Sequence, residues 1–211
     1  AILSGGGGAP RINNPENWKS LTDLLITQSL STELGIPILY GADGVHGHNN
    51  VLGAVIFPHN IGLGATHNAD LLRRIGEATA CEMAATGIYW NYAPVVAVPQ
   101  DVRWGRTYEG YAQDRDLVTE LATAYVEGLQ GESLADLVTI AATPKHFIGD
   151  GGRQFNSSTT GNYMLDQGDM IVDEDTLREL YLPPYEAVIE SGAMVIMASF
   201  SSWNGTKMHA N

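Results

Sequence analysis

The sequence predicts an α/β fold, a (β/α)8 TIM-like barrel that this chain covers only in part. Three observations carry that prediction. Short, strand-like apolar runs alternate with amphipathic segments of helical length, the pattern of parallel strands joined by helical crossovers. The strand runs are almost wholly apolar, as expected where both faces of a sheet are covered. Polar residues follow the strands on several different loops, and no G-x-G-x-x-G turn opens a helix after a strand, which favours the barrel over a doubly wound open sheet.

In chain order, the first strand run is Ala1–Leu3. Gly5-Gly6-Gly7-Gly8-Ala9-Pro10 follows; it lacks the spacing of a phosphate loop and reads as a plain connection. Trp18–Thr32 is the first helix and Ile36–Tyr40 the second strand. Ala69–Thr86 is the second helix, with Asn68 as its N-cap, and Ile88–Tyr92 the third strand. Gln113–Leu129 is the third helix, with Leu117, Leu121, Ala124 and Gly128 on one face. Thr139–Thr143 is the fourth strand. Gly149–Asp173 is a long polar loop, of a length that in compact domains goes with function or mobility. Glu174–Ser191 is the fourth helix, capped by Asp173 and broken in two by Pro183 and Pro184; Ala193–Phe200 is the fifth strand. A full barrel takes eight units and about 250 residues. About five strands and four helices are therefore a partial barrel. Its missing strands are expected in the same polypeptide or an associated chain, because an open barrel exposes apolar edges.

Bulk composition narrows the function classes. A chain of 211 residues is long enough for one domain with a large core. Hydrophobic residues make up 44% and charged residues 17%, unlike a disordered chain. A net charge of -13 argues against nucleic acid or an anionic membrane as partner, since phosphate binding needs clustered Lys and Arg. No apolar run approaches the roughly twenty residues that cross a bilayer. No signal peptide is legible; compartment is left open, with a periplasmic or secreted one favoured. The single Cys81 excludes an internal disulfide. Leu71, Ile75, Ala78 and Ala85 fall at helical spacing around it, which predicts a buried core thiol.

The candidate chemistry stands at strand ends. Asp43 follows Ile36-Pro37-Ile38-Leu39-Tyr40. An ionised carboxylate only accepts, and it can take two hydroxyl protons from neighbouring carbons of one sugar. The plainer reading is an Asp-Gly turn bonded to its own backbone. Lys145 and His146 follow Thr139–Thr143, and their donors suit sugar oxygens. The plainer reading is a buried lysine paired with Asp150 or Glu109; a rival chemistry is a Schiff base on Lys145. Arg106 and Glu109 lie three apart after Trp104. Arginine offers a rigid fork of donors. Glu109 either binds sugar or orients Arg106 or Lys145, and the orienting role is preferred. Trp90, Tyr92, Trp104 and Trp203 could stack on a sugar face, but aromatics at such spacing are mostly core.

His46-x-His48 with His59 invites a metal, yet no cysteine or carboxylate cluster completes a tetrahedral set, so no metal is assigned. Charge then sorts the roles. Glycoside hydrolysis builds positive charge near the anomeric carbon. Lys145 and Arg106 would oppose that charge if they stood beside it. They belong on the distant hydroxyls with Asp43, while carboxylates flank the reacting bond; Asp43 and Glu109 are the in-chain candidates for that, though both are expected to be tied to cations.

Five segments together resemble family 3 glycoside hydrolases, the β-glucosidase and exo-β-glucan glucohydrolase group. They are Gly41-Ala42-Asp43-Gly44-Val45-His46-Gly47-His48-Asn49-Asn50, Phe57-Pro58-His59-Asn60-Ile61-Gly62-Leu63-Gly64-Ala65, Arg103-Trp104-Gly105-Arg106-Thr107-Tyr108-Glu109, Lys145-His146-Phe147-Ile148-Gly149-Asp150-Gly151-Gly152 and Ser201-Ser202-Trp203-Asn204-Gly205. They cover nearly the whole chain in family order. The resemblance implies a partial N-terminal (β/α)8 barrel domain over residues 1–211, with the remaining strands and an α/β sandwich domain elsewhere in the polypeptide. It implies hydrolysis with retention of configuration, no cofactor, and a β-glucoside or β-glucan as partner. Asp43, Arg106, Lys145 and His146 would bind the non-reducing glucose, with Glu109 and Phe200 supporting. The nucleophile, an Asp in a Ser-Asp-Trp-like motif, and the acid/base Glu would both lie outside this sequence, so no catalytic residue is assigned within it.

Four positions depart from branches of the family. Gln100 and Thr107 stand where plant members carry a cysteine pair, and Phe200 stands where many relatives have Tyr. Asp150 stands where the N-acetylglucosaminidase branch has His, which favours a glucosidase. The alternatives from other classes are a barrel aldolase using Lys145 and a non-catalytic sugar-binding protein.

Overall fold

The computed structural model describes residues 1–4, 8–160 and 162–211. Part of the glycine run read as a connection, residues 5–7, lies outside them. Strand β1 (Ile2–Ser4) leads to helix α1 (Pro15–Leu30), whose first turn is capped by Asn14 accepting from the Asn17 amide. Next come β2 (Tyr40–Ala42), the short helix α2 (Asn60–Gly64), α3 (Ala69–Ala85) and β3 (Trp90–Asn91). Then follow α4 (Arg115–Gln130), β4 (Lys145–Phe147), β5 (Asp169–Met170), α5 (Glu174–Thr176), α6 (Pro183–Glu190), β6 (Met197–Ala198), β7 (Ser202–Trp203) and β8 (Thr206–Lys207). Asn68 and Asp173 cap α3 and α5 as the sequence predicts, each accepting a backbone N–H three residues on.

The strands β1, β2, β3, β4 and β6 form the staves of one parallel wall. Leu3 pairs with Gly41, and Gly41 pairs with Trp90. Bridges from Trp90 to Ala141 and from Val95 to Lys145 join the third stave to the fourth. Lys145 pairs with Met197 on the fifth. Two staves sit later in the chain than their apolar runs. Pro37 lacks an N–H, and Ile36 and Leu39 are exposed, so the second ladder begins at Tyr40. Pro144 interrupts the fourth, with Pro94 facing it on the third, and the fourth becomes regular only at Lys145.

Helices α3 and α4 pack through glycines. A β-carbon on Gly128 would lie 2.0 Å from the Arg73 carbonyl oxygen, and one on Gly76 would lie 2.7 Å from that of Tyr125. The core between helices and staves holds Trp18, Leu72, Met83, Ile88, Leu121, Leu129 and Ile140, all essentially sealed from water. Cys81 corrects the expectation of a core thiol: it is exposed. The buried stripe of α3 runs through Leu72, Ile75, Gly76, Thr79, Ala80, Met83 and Ala84, and Cys81 lies off it. The fourth helical segment does break at the prolines, with a π-helical stretch at Leu177–Tyr181 before α6.

A second small sheet was not legible from apolar runs. Strand β5 pairs parallel with β7, and β7 turns back through Asn204-Gly205 onto β8. Both turn residues have positive φ, as this tight hairpin requires. The Asp169 carboxylate accepts from the Gly205 amide at 2.9 Å, which fastens the end of the Gly149–Asp173 loop to the segment after the fifth stave. Among the described residues no helix is long and apolar enough to cross a membrane.

Candidate active site

The second stave ends under close constraint. Gly41 leaves room for the Tyr92 hydroxyl and the Trp90 ring, which a β-carbon would approach to 2.2 and 2.7 Å. The next turn is clamped by Asn91, which accepts from the Gly44 amide at 2.8 Å and donates to its carbonyl at 2.9 Å. Asn50 donates to the Asp43 carbonyl at 3.0 Å. With the backbone so satisfied, the Asp43 carboxylate is free to reach across the staves. It accepts from Lys145 Nζ at 2.6 Å. Lys145 is buried, while the Asp43 side chain is 38% exposed. The partner of Lys145 is thus Asp43, in place of the Asp150 or Glu109 of the plainer reading.

The third loop contributes Arg106 and Glu109 around a single 3-10 turn, Thr107–Glu109. Arg106 donates through Nε and Nη2 to the two Glu109 oxygens, each at 2.7 Å, the fork-to-fork geometry that fixes a guanidinium plane. Burial pushes the Glu109 carboxyl up, but Arg106, Lys145 and His146 outweigh it and hold it below the usual range. Arg106 Nη2 also stands 3.5 Å from His146 Nε2, so the third and fourth staves meet at this point.

Behind His146 lies a buried layer that the sequence reading missed. Asp150 Oδ2 is 2.6 Å from His146 Nδ1. Its other oxygen accepts from Arg153 and, at 3.0 Å, from Ser199. Burial raises the Asp150 carboxyl, yet Arg153, the His146 bond and Arg106 prevail and set it at about 2. Arg153 also faces Asp166, which accepts from the Trp104 indole at 3.1 Å. The sequence reading had Asp150 as a possible partner of Lys145 and as a mark of the family branch; for Arg153 and Asp166 the only signal was the polarity of the Gly149–Asp173 loop.

The remaining candidates separate. His48 is buried in the core, 2.9 Å from the Thr86 hydroxyl, and burial lowers its pKa to about 4. His46 bonds the Phe57 carbonyl and stacks on His59 at 4.3 Å. The three rings do not converge, and the described residues hold no group of three metal-ligating side chains. Trp104 and Tyr92 are buried. Phe200 is exposed, with its ring against Lys207 and His209. A separate cavity of about 400 Å³, lined by Phe147, Leu177, Leu182, Trp203 and Met208 among others, includes none of those four.

Comparison with known proteins places this arrangement. Residues 1–211 match the glycosyl hydrolase family 3 N-terminal domain. A periplasmic β-glucosidase of Salmonella typhimurium is 32% identical over 179 residues, 83% of this chain and 21% of its own length. A mutant exo-1,3/1,4-β-glucanase from a Pseudoalteromonas species superposes with a TM-score of 0.89 at 43% identity, over 98% of this chain and 34% of that one. A mutant β-glucosidase from Listeria innocua in complex with laminaribiose gives 0.79 at 27% identity, over 94% of this chain and 26% of its own. The chain therefore spans about a fifth to a third of these relatives' lengths. On the family match, the sequence identities and the shared architecture, this chain belongs to glycosyl hydrolase family 3, and its five parallel staves are part of that family's N-terminal (β/α)8 TIM-like barrel.

Proposed function

We propose that this chain supplies the glycone-binding pocket of a retaining, exo-acting β-glucosidase or β-glucan glucohydrolase that releases glucose from non-reducing ends. The observation that carries the reading is the 2.6 Å contact of Lys145 Nζ with Asp43 Oδ1, made between two separate strand ends beside the Arg106–His146 contact. Donors and acceptors so interleaved match vicinal hydroxyls, each of which both gives and takes a hydrogen bond. The names of the relatives support a β-glucoside or β-glucan as substrate.

The four ligand-holding residues are Asp43, Arg106, Lys145 and His146; Glu109 orients Arg106, and Phe200 supports from the rim. Glu109 and Asp150 are each tied to an arginine, which suits holding and not attack. The nucleophilic Asp and the acid/base Glu accordingly come from outside residues 1–211, from the remaining strands and a second, α/β sandwich domain. A Schiff-base role for Lys145 is less favoured, because its ammonium is engaged by Asp43.

In the full-length protein, Asp43→Ala is expected to lower kcat/KM on a β-glucoside by about 10²–10⁴-fold, the penalty for removing a buried polar contact to a hydroxyl. Added azide should not restore turnover. Rescue by azide would make Asp43 the nucleophile, and borohydride trapping of a carbonyl substrate on Lys145 would replace the hydrolase reading with an aldolase. Sugar binding by the full-length protein without any turnover would leave a binding protein.

A further inference from the structure

We infer that Asp150 is a positioning residue that fixes His146 in one tautomer, so that His146 Nε2 meets the ligand as a hydrogen-bond acceptor. The inference rests on the glucoside-binding reading for the identity of the ligand, but not for the tautomer itself. His146 as a donor was the expectation from residue type alone, and the geometry reverses it. An ionised carboxylate only accepts, so at 2.6 Å the proton of the contact belongs to His146 Nδ1. The opposite ring nitrogen stands 3.5 Å from Arg106 Nη2, and a guanidinium only donates. Both neighbours therefore demand the same arrangement, with N–H toward Asp150 and the single Nε2 lone pair toward Arg106.

The anchoring of Asp150 explains why it can act in this way. Its side chain is wholly buried, and its second oxygen is committed to Arg153 and to the Ser199 hydroxyl. Arg153 is itself held by Asp166, which the Trp104 indole steadies in turn. Ser199 accepts from the Ser201 amide at 3.1 Å, which ties the carboxylate to the chain beyond the fifth stave. A carboxylate gripped on one oxygen presents the other in a fixed direction, and His146 takes its orientation from that oxygen. Burial by itself opposes the charge on Asp150, yet its neighbours hold the group ionised near 2, as an acceptor-only anchor must be.

The consequence for recognition is specific. Lys145 and Arg106 donate to the sugar, while Asp43 and His146 accept from it. One ligand hydroxyl would then give its proton to His146 Nε2, displacing the long 3.5 Å contact from Arg106, and take one from a neighbouring cation.

Selective nitrogen labelling of histidine in the full-length protein, with the His146→Gln variant to assign the signal, reads the tautomer directly. The inference expects a protonated Nδ1 and a bare Nε2 at His146. A proton on Nε2, alone or with one on Nδ1, overturns it, and this holds even if no variant at position 150 folds. Asp150→Asn can turn its amide N–H toward Nδ1 and reverse the tautomer. It is expected to lower kcat/KM by about 10- to 1,000-fold, by analogy with carboxylates that orient histidines elsewhere. That loss should vanish in a His146→Gln background, since Asp150 acts through His146. Losses that add in full would overturn the positioning role. If Asp43→Ala leaves glucoside hydrolysis intact while the Nδ1–H signal is present, the sugar reading fails and the tautomer assignment stands.

Discussion

A β-carbon added at Gly41 would come within 2.2 Å of the Tyr92 hydroxyl, so the last residue before Ala42 and Asp43 cannot gain even a methyl group without moving its neighbours. Gly41→Ala is expected to destabilise the fold by about 1–3 kcal/mol, the usual cost of overpacking. It should also raise KM by drawing Asp43 off Lys145, and urea unfolding with steady-state kinetics on the full-length protein would measure the two effects. The acid behaviour of Asp150 is a second prediction. Its folded pKa of about 2 lies below the ordinary 3.8, so its stabilisation is whole above pH 3.8 and is lost as pH falls through about 2. Across that window the wild type is expected to lose about 2 kcal/mol more than Asp150→Asn. Parallel acid limbs of unfolding free energy would remove the charge pairing. At this scale the sequence was partly legible. Asp43, Arg106, Lys145 and His146 could be picked out because each follows an apolar run, and the i, i+3 spacing of Arg106 and Glu109 foretold their pairing. Asp150 is anchored by Arg153 and Ser199, and the serine is brought to it from 49 residues away by packing alone.

Among the elements, α3 and α4 illustrate two opposing effects of one glycine. In an open helix, replacing Gly128 by Ala would gain about 1 kcal/mol of helix propensity. Here the new methyl would lie 2.0 Å from the Arg73 carbonyl oxygen, and backbone cannot step aside as a flexible side chain can. The clash should win, with Gly128→Ala lowering the denaturation midpoint; a higher midpoint would show that the helices separate at little cost. The positions of α1, α3 and α4 were legible to within a few residues, since each carries its own side-chain N-cap and its own buried stripe, whereas the short, uncapped α2 was missed. Strand positions were less so. An apolar run marks where side chains are buried, whereas a ladder forms only where N–H groups are available, and Pro37 and Pro144 shift it. The β7–β8 hairpin was announced by Asn204-Gly205, a turn signal overlooked because its flanking strands are only two residues each.

Over the whole molecule, the staves and helices leave large apolar side chains in water. Leu3, Ile36, Leu34 and Leu24 are each more than half exposed, along the side of the wall where β1 and α1 lie. Residues 1–211 produced alone are expected to self-associate and to bind a hydrophobic dye, and light scattering would test it; a clean monomer without dye binding would contradict the partial-barrel architecture as the source of that surface. The strand-end cluster has a different property at the same scale. Lys145, Arg106 and Arg153 are set against Asp43, Glu109, Asp150 and Asp166, three cations to four carboxylates. Within that described set, every positive charge is already matched. A sugar bearing its own anion, such as a glucuronide or a hexose phosphate, would enter an environment tilted negative; on the proposed glucosidase reading, the full-length protein should leave such compounds uncut while hydrolysing their neutral counterparts.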